Sequence, residues 1–149
     1  MAFQADIVAY DASDRLVLVV EIKNRRGTNS QWVARMRQQL AAYGQVADAR
    51  YLLLALPDRF YLWVDKRPEL SDPDYTIDPL PLLKPYLGTP NVSEYLGEVG
   101  FEMVVEAWLA SLTWAEKPPT NTGENADWLI ESGLFDALKH GHLASEVTL

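Results

Sequence analysis

Apolar and polar positions along the chain change period several times, and each change marks an element. Residues 6 to 11, DIVAYD, alternate with the period of two that suits a strand, and DASD at 11 to 14 supplies turn chemistry. Leu16 to Ile22, LVLVVEI, follows as a second strand, apolar on both faces until Glu21. The pair predicts a β-hairpin whose second strand is central and covered on both sides. TNSQ then opens a helix, with Thr28 as N-cap and Gln31 completing a capping box, and Gly44 is a suitable stop. This predicts a helix over 29–43. At about 100° per residue, Trp32, Met36, Leu40 and Tyr43 share one arc, the expected buried stripe. Gln39 projects into that arc and Gln38 points outward.

The remainder continues the alternation of strand and helix. YLLLAL at 51 to 56 is wholly apolar, Pro57, Asp58 and Arg59 turn the chain, and FYLWV at 60 to 64 returns as an antiparallel neighbour. From 65 to 90, prolines punctuate what reads as an irregular surface wrap. Phe101, Val104, Val105, Trp108, Leu109 and Leu112 then repeat at helical spacing, with Glu98, Glu102 and Glu106 outside, in a helix expected over 93–113 to pack on the sheet. A last helix is expected over 125–140, weak at Gly133 and stopping near Gly141. No internal repeat is visible. The order predicts a single α/β domain over residues 1–149, a mixed sheet sandwiched by helices with its core in 5–65.

Composition narrows the class of protein. The 149 residues include no cysteine, which excludes disulfides, thiolate metal sites and a cysteine nucleophile. No apolar run is long enough to span a bilayer, and Met1–Asp6 shows no signal-peptide pattern, so no membrane partner and a cytoplasmic location are expected. A net charge of −8 argues globally against nucleic acid. Its distribution argues otherwise. From Ile22 to Ala47 no acid occurs, while Lys23, Arg25, Arg26, Arg35 and Arg37 all fall there. Clustering alone describes a solvated face, but this one begins at a strand exit that carries chemistry.

Side chains alternate along a strand, so Glu21 and Lys23 share a face about 6.6 Å apart, with Ile22 pointing the other way. Folding the hairpin brings Asp6 beside residue 19, 20 or 21, according to register. Two carboxylates that close repel unless one is protonated or a cation lies between them. A magnesium ion uses one or two carboxylates, keeps waters, takes phosphate oxygens for the rest and can acidify water into a nucleophile. Lys23 could orient that water or neutralise charge on the phosphorane. The basic window lies where a nucleic-acid backbone would need attraction.

Asp6 followed by Glu21, Ile22 and Lys23 resembles the PD-(D/E)xK signature of the restriction-endonuclease-like nucleases, and Gln39-Leu40-Ala41-Ala42-Tyr43 is similar to the QxxxY element of the RecB-type branch. The resemblance covers residues 6 to 56. It implies metal ligands at Asp6, Glu21 and Ile22 for Mg2+ or Mn2+, a catalytic lysine at Lys23, supporting roles for Gln39 and Tyr43, and phosphate contacts from Arg25, Arg26, Arg35 and Arg37. There are two departures. Ala5 stands where the signature has proline, and only five residues precede Asp6 where the family core has a helix and a strand. A later helix, a partner subunit or residues upstream of the recorded start would have to replace them, and Glu98, Glu102 or Glu106 could supply the glutamate that the first helix gives some relatives.

Other signals carry less. His140 and His142, at a helix end and without a carboxylate cluster, are no metal site, and Asp11 belongs to the turn. Trp32 could stack a base but suits packing better. No nucleotide-loop, dinucleotide, zincin or esterase motif occurs. Three functions follow: a metal-dependent nuclease acting on DNA, a degenerate relative that binds nucleic acid or protein without cutting, or an acidic interaction module using residues 6 to 23 only as scaffold.

Overall fold

A computed structural model of the protein describes residues 3–43, 46, 48–65, 72–87, 98–118 and 127–149. The predicted hairpin is β1 (Gln4–Tyr10) and β2 (Leu16–Ile22), antiparallel, with Ile7 opposite Val20 and Val8 opposite Val19. Asp11 holds its turn: its Oδ1 accepts the backbone N–H groups of Ser13 at 2.9 Å and Arg15 at 3.0 Å. Helix α1 (Ser30–Ala41) follows, then β3 (Tyr51–Ala55), which returns parallel to β2, and β4 (Phe60–Val64), antiparallel to β3. β2 is central, as its apolarity predicts.

The proline-punctuated stretch is less irregular than expected. β5 (Tyr75–Ile77) adds to β4, and a short helix α2 (Leu80–Leu83) runs into a 3₁₀ turn at Lys84–Tyr86. A strand of three residues set between Pro73 and Pro79 is too short a pattern to read. The long helix is α3 (Glu98–Trp114), and positions 93–97 of the expected span, like Gly44, lie outside the described residues. The last expected helix is two: α4 (Asp127–Glu131) and α5 (Leu134–Leu138), parted at Gly133, whose φ of 80° is left-handed.

The element that the sequence pattern missed is β6 (His142–Thr148), antiparallel to β1 on its outer side. It is a half-exposed edge strand with Ser145, Glu146 and Thr148, so it lacks the apolar alternation that announces the others. His142 stacks on Tyr10, with ring centroids 5.0 Å apart, and approaches Asp14 at 3.4 Å. The histidine thus clasps the edge of the sheet. The result is a six-stranded mixed open sheet in the order β5-β4-β3-β2-β1-β6 with helices on both faces.

Each face has its own core. Ile7, Leu18, Val20, Leu53, Phe60 and Leu62 meet Phe101, Val105, Trp108, Leu109 and Leu112 of α3, together with α4 and α5. On the opposite face Val8, Val19, Leu52, Leu54 and Trp63 meet Val33 and Leu40 of α1. Among the described residues no helix is long and apolar enough to cross a membrane.

Candidate functional site

The hairpin register decides the site. With Ile7 opposite Val20, the next pair outward is Asp6 and Glu21, and it is the register shift between Ala9 and Tyr10 that sets the two acids side by side, since the Tyr10–Leu16 pair alone would set Asp6 opposite Val20. Asp6 Oδ2 accepts the Ile22 N–H at 2.7 Å, which ties the first strand's carboxylate to the second strand's backbone. Lys23 follows on the same strand exit, its own N–H bonded to the Ala55 carbonyl at 3.1 Å. Its Nζ lies 3.2 Å from Glu21 Oε1, with the lysine side chain 41% exposed and the glutamate 9%. The ammonium is therefore anchored inside and open outside.

Glu21 is the perturbed group. Burial first, and the negative charge of Asp6 second, push its carboxyl up to about 7, against the pull of Lys23. Lys23 serves only one of its oxygens. Glu21 Oε2 is buried and receives no hydrogen-bond donor from the protein. A proton held on Glu21 can bond to Asp6, and once that proton leaves, the pair presents carboxylate oxygens of the kind a hard divalent cation takes, so Asp6 and Glu21 fit Mg2+ or Mn2+ on that ground. Ile22 is 4% exposed with its side chain in the core, so only its backbone could contribute. Among the described residues no three acidic or histidine side chains cluster, so neither Glu102 nor Glu106 joins the pair.

The helix that follows departs from expectation in phase. Its N-cap is Asn29, not Thr28, with Oδ1 accepting the Trp32 N–H at 2.9 Å. Its buried residues are Val33, Arg37 and Leu40, with Trp32, Met36 and Tyr43 half-buried at the margin. This turns the inner face by roughly 70° from the expected stripe. Gln39 is thereby exposed rather than buried, as is Gln38. Arg37 moves the other way, to 5% exposure, with its guanidinium 5.7 Å from the Trp63 ring centroid. It is an interior residue and not a surface phosphate contact. The stripe shifts because an arginine stem is as apolar as a leucine's and its planar head can lie over an aromatic ring. Tyr43 packs on Phe3 with tilted rings whose centroids are 4.7 Å apart, which brings the end of α1 to the entrance of β1, three residues before Asp6.

Three of the four arginines expected to face phosphate do lie at the surface: Arg25, Arg26 and Arg35 are exposed, and Arg25 covers the Trp32 ring at 5.2 Å. Sequence reasoning missed the residue that holds their loop. Asp58, in the β3–β4 turn, accepts the Gly27 N–H through Oδ2 at 2.9 Å. Gly27 has a φ of 65°, a left-handed turn that glycine adopts without strain, and that glycine was the one available signal. No family model matches the chain, and neither a curated protein nor a solved structure matches it.

Proposed function

We propose that the protein is a metal-dependent phosphodiesterase of the restriction-endonuclease-like class, acting on DNA. The observation that carries the reading is the buried Glu21 Oε2, which lacks a donor while a second carboxylate and an ammonium stand beside it. Two arrangements support it further. β6 pairs along the outer side of β1, where it could stand in for the strand that the family core has ahead of its aspartate, and α3 covers the sheet face opposite α1. The exposed Arg25, Arg26 and Arg35 follow the site within one loop and the first turns of a helix, where they can draw a phosphate backbone toward it.

The residues divide the work by position. Asp6 and Glu21 would hold the cation, which when bound supplies the positive charge that lets both acids ionise together and polarises a phosphodiester. Lys23, half in solvent and pinned by Glu21, faces the negative charge that develops on the phosphoryl oxygens. Tyr43 supports the floor through Phe3. Gln39, being exposed, is left to contact substrate.

A second reading has its own observation. Asp6 already accepts a backbone N–H, and the described residues offer two acids and no third, which suits a relative that binds DNA without cutting it. One experiment separates the two. Supercoiled plasmid with Mg2+ or Mn2+ should be cut by the parent chain, and EDTA or Lys23→Ala should reduce cleavage by at least 100-fold with the fold intact by circular dichroism. Binding without cleavage selects the second reading, and cleavage indifferent to both treatments ends the first.

A further inference from the structure

Helix α3 has a second apolar stripe, directed away from the sheet. Phe101, Val105, Trp108, Leu109 and Leu112 face the core, yet Met103 is 65% exposed, Trp114 is 85% exposed, Ala107 is exposed and Ala110 half-exposed between them. These four residues are separated by four, three and four positions, so they share one face of the helix. A helix apolar on both sides is ordinarily covered on both. Tyr86, 37% exposed, extends the patch sideways: its hydroxyl donates to Ser111 Oγ at 2.7 Å, one turn before Trp114.

We infer that this face binds a second copy of the chain, as an antiparallel α3–α3 pair about a two-fold axis. The spacing argues for that occupant, because it reads the same in both directions. Turned end for end about a point midway between Ala107 and Ala110, the stripe lays Met103 on Trp114 of the other copy and Ala107 on Ala110, large against large and small against small. This is the layer pattern of antiparallel knobs-into-holes packing, with alanines in the middle that let the backbones approach. A parallel pair would instead set tryptophan on tryptophan and align the helix dipoles. The opposed dipoles and the sulfur–aromatic contact favour the antiparallel one. A self-complementary patch used by both copies is the isologous interface of the commonest oligomers.

The area suits a weak, concentration-dependent dimer. Each Trp114 leaves roughly 200 Å2 in water. With Met103, Ala107 and Tyr86, two copies can bury on the order of 1,000 Å2, the least that a specific interface needs. The net charge of −8 on each copy opposes association, so the dimer should tighten as salt rises, the reverse of a charge-driven contact.

Sedimentation equilibrium on the full chain tests this. A monomer of 16.8 kDa should give way to twice that mass across the micromolar to hundred-micromolar range, with the midpoint moving to lower concentration as salt rises. Ala107→Glu and Trp114→Ser, both on exposed positions, should each weaken the dimer at least tenfold with unchanged circular dichroism. Because the chain contains no cysteine, the double substitution Ala107→Cys and Ala110→Cys should yield a covalent dimer under mild oxidation. A chain that stays monomeric at the highest concentration overturns the proposal. So does a dimer that both substitutions leave intact.

Discussion

The two faces of the sheet are built on different principles. On the α3 side, Trp108 sits between Phe60, at 5.5 Å, and Trp128, at 6.1 Å, in a cluster composed of apolar side chains. On the α1 side, Glu21 and Arg37 are buried charges, and a cleft of about 310 Å3 opens beside Val33, Tyr61 and Trp63. Burying charge costs free energy that burying hydrocarbon returns. One face therefore stabilises the domain, and the other holds buried charge at a cost that the first offsets. The difference predicts opposite signs for substitutions on the two sides. Trp108→Ala, which empties the middle of the aromatic cluster, should destabilise by about 3–5 kcal/mol in urea unfolding. A variant as stable as its parent would mean that the α3 layer is not the main source of stability.

Glu21→Gln should act in the opposite direction, and only at higher pH. The carboxyl ordinarily titrates near 4.5 and is raised to about 7 in the fold. Between those values the folded protein holds a proton that the unfolded chain has released. Stability from this group is thus complete below pH 4.5 and falls as pH rises to 7. Removing the charge should stabilise the protein by roughly 2–3 kcal/mol at pH 8 and by little at pH 5, flattening the dependence of Tm on pH. A variant less stable than the parent at pH 8 would show that Glu21 is satisfied in the native protein, and the contrast between the faces would fail at its central residue.

How much of this was legible from the chain follows from the same division. Where burial is apolar, the pattern suffices. β2 reads as central because all seven positions are apolar or confined to its exit, and the α3 stripe reads directly from Phe101 to Leu112. The hairpin left three registers open for Asp6, and only the backbone pairing selected Glu21. Where the interior is polar, the pattern misleads. Arg37 was counted outside because it is charged, which rotated the α1 stripe and carried Gln39 inward with it. Asn29 and Thr28 are both good caps, and the choice between them rests on one hydrogen bond. β6 was invisible for a third reason: an edge strand half in water needs no alternation, and its pairing to β1 spans almost the whole chain.

The smallest effect bears most directly on the site. If Glu21 Oε2 waits for a cation, Mn2+ at tenfold its dissociation constant should stabilise the folded protein by about 1.4 kcal/mol. For a chain of this length that is a rise in Tm of roughly 3–6 °C. The rise should be larger at pH 8 than at pH 6, because at pH 6 the ion must first displace the proton that burial and Asp6 hold on Glu21. Glu21→Gln should abolish it. Lys23→Ala should keep or enlarge it, since the ammonium competes with the ion for the same carboxylate at 3.2 Å, even as that variant should lose the proposed cleavage. The two substitutions therefore part metal binding from catalysis at neighbouring residues. A thermal shift equal in all three proteins would place the ion elsewhere, and the buried oxygen would then be a cost of the α1 face with no ligand to justify it.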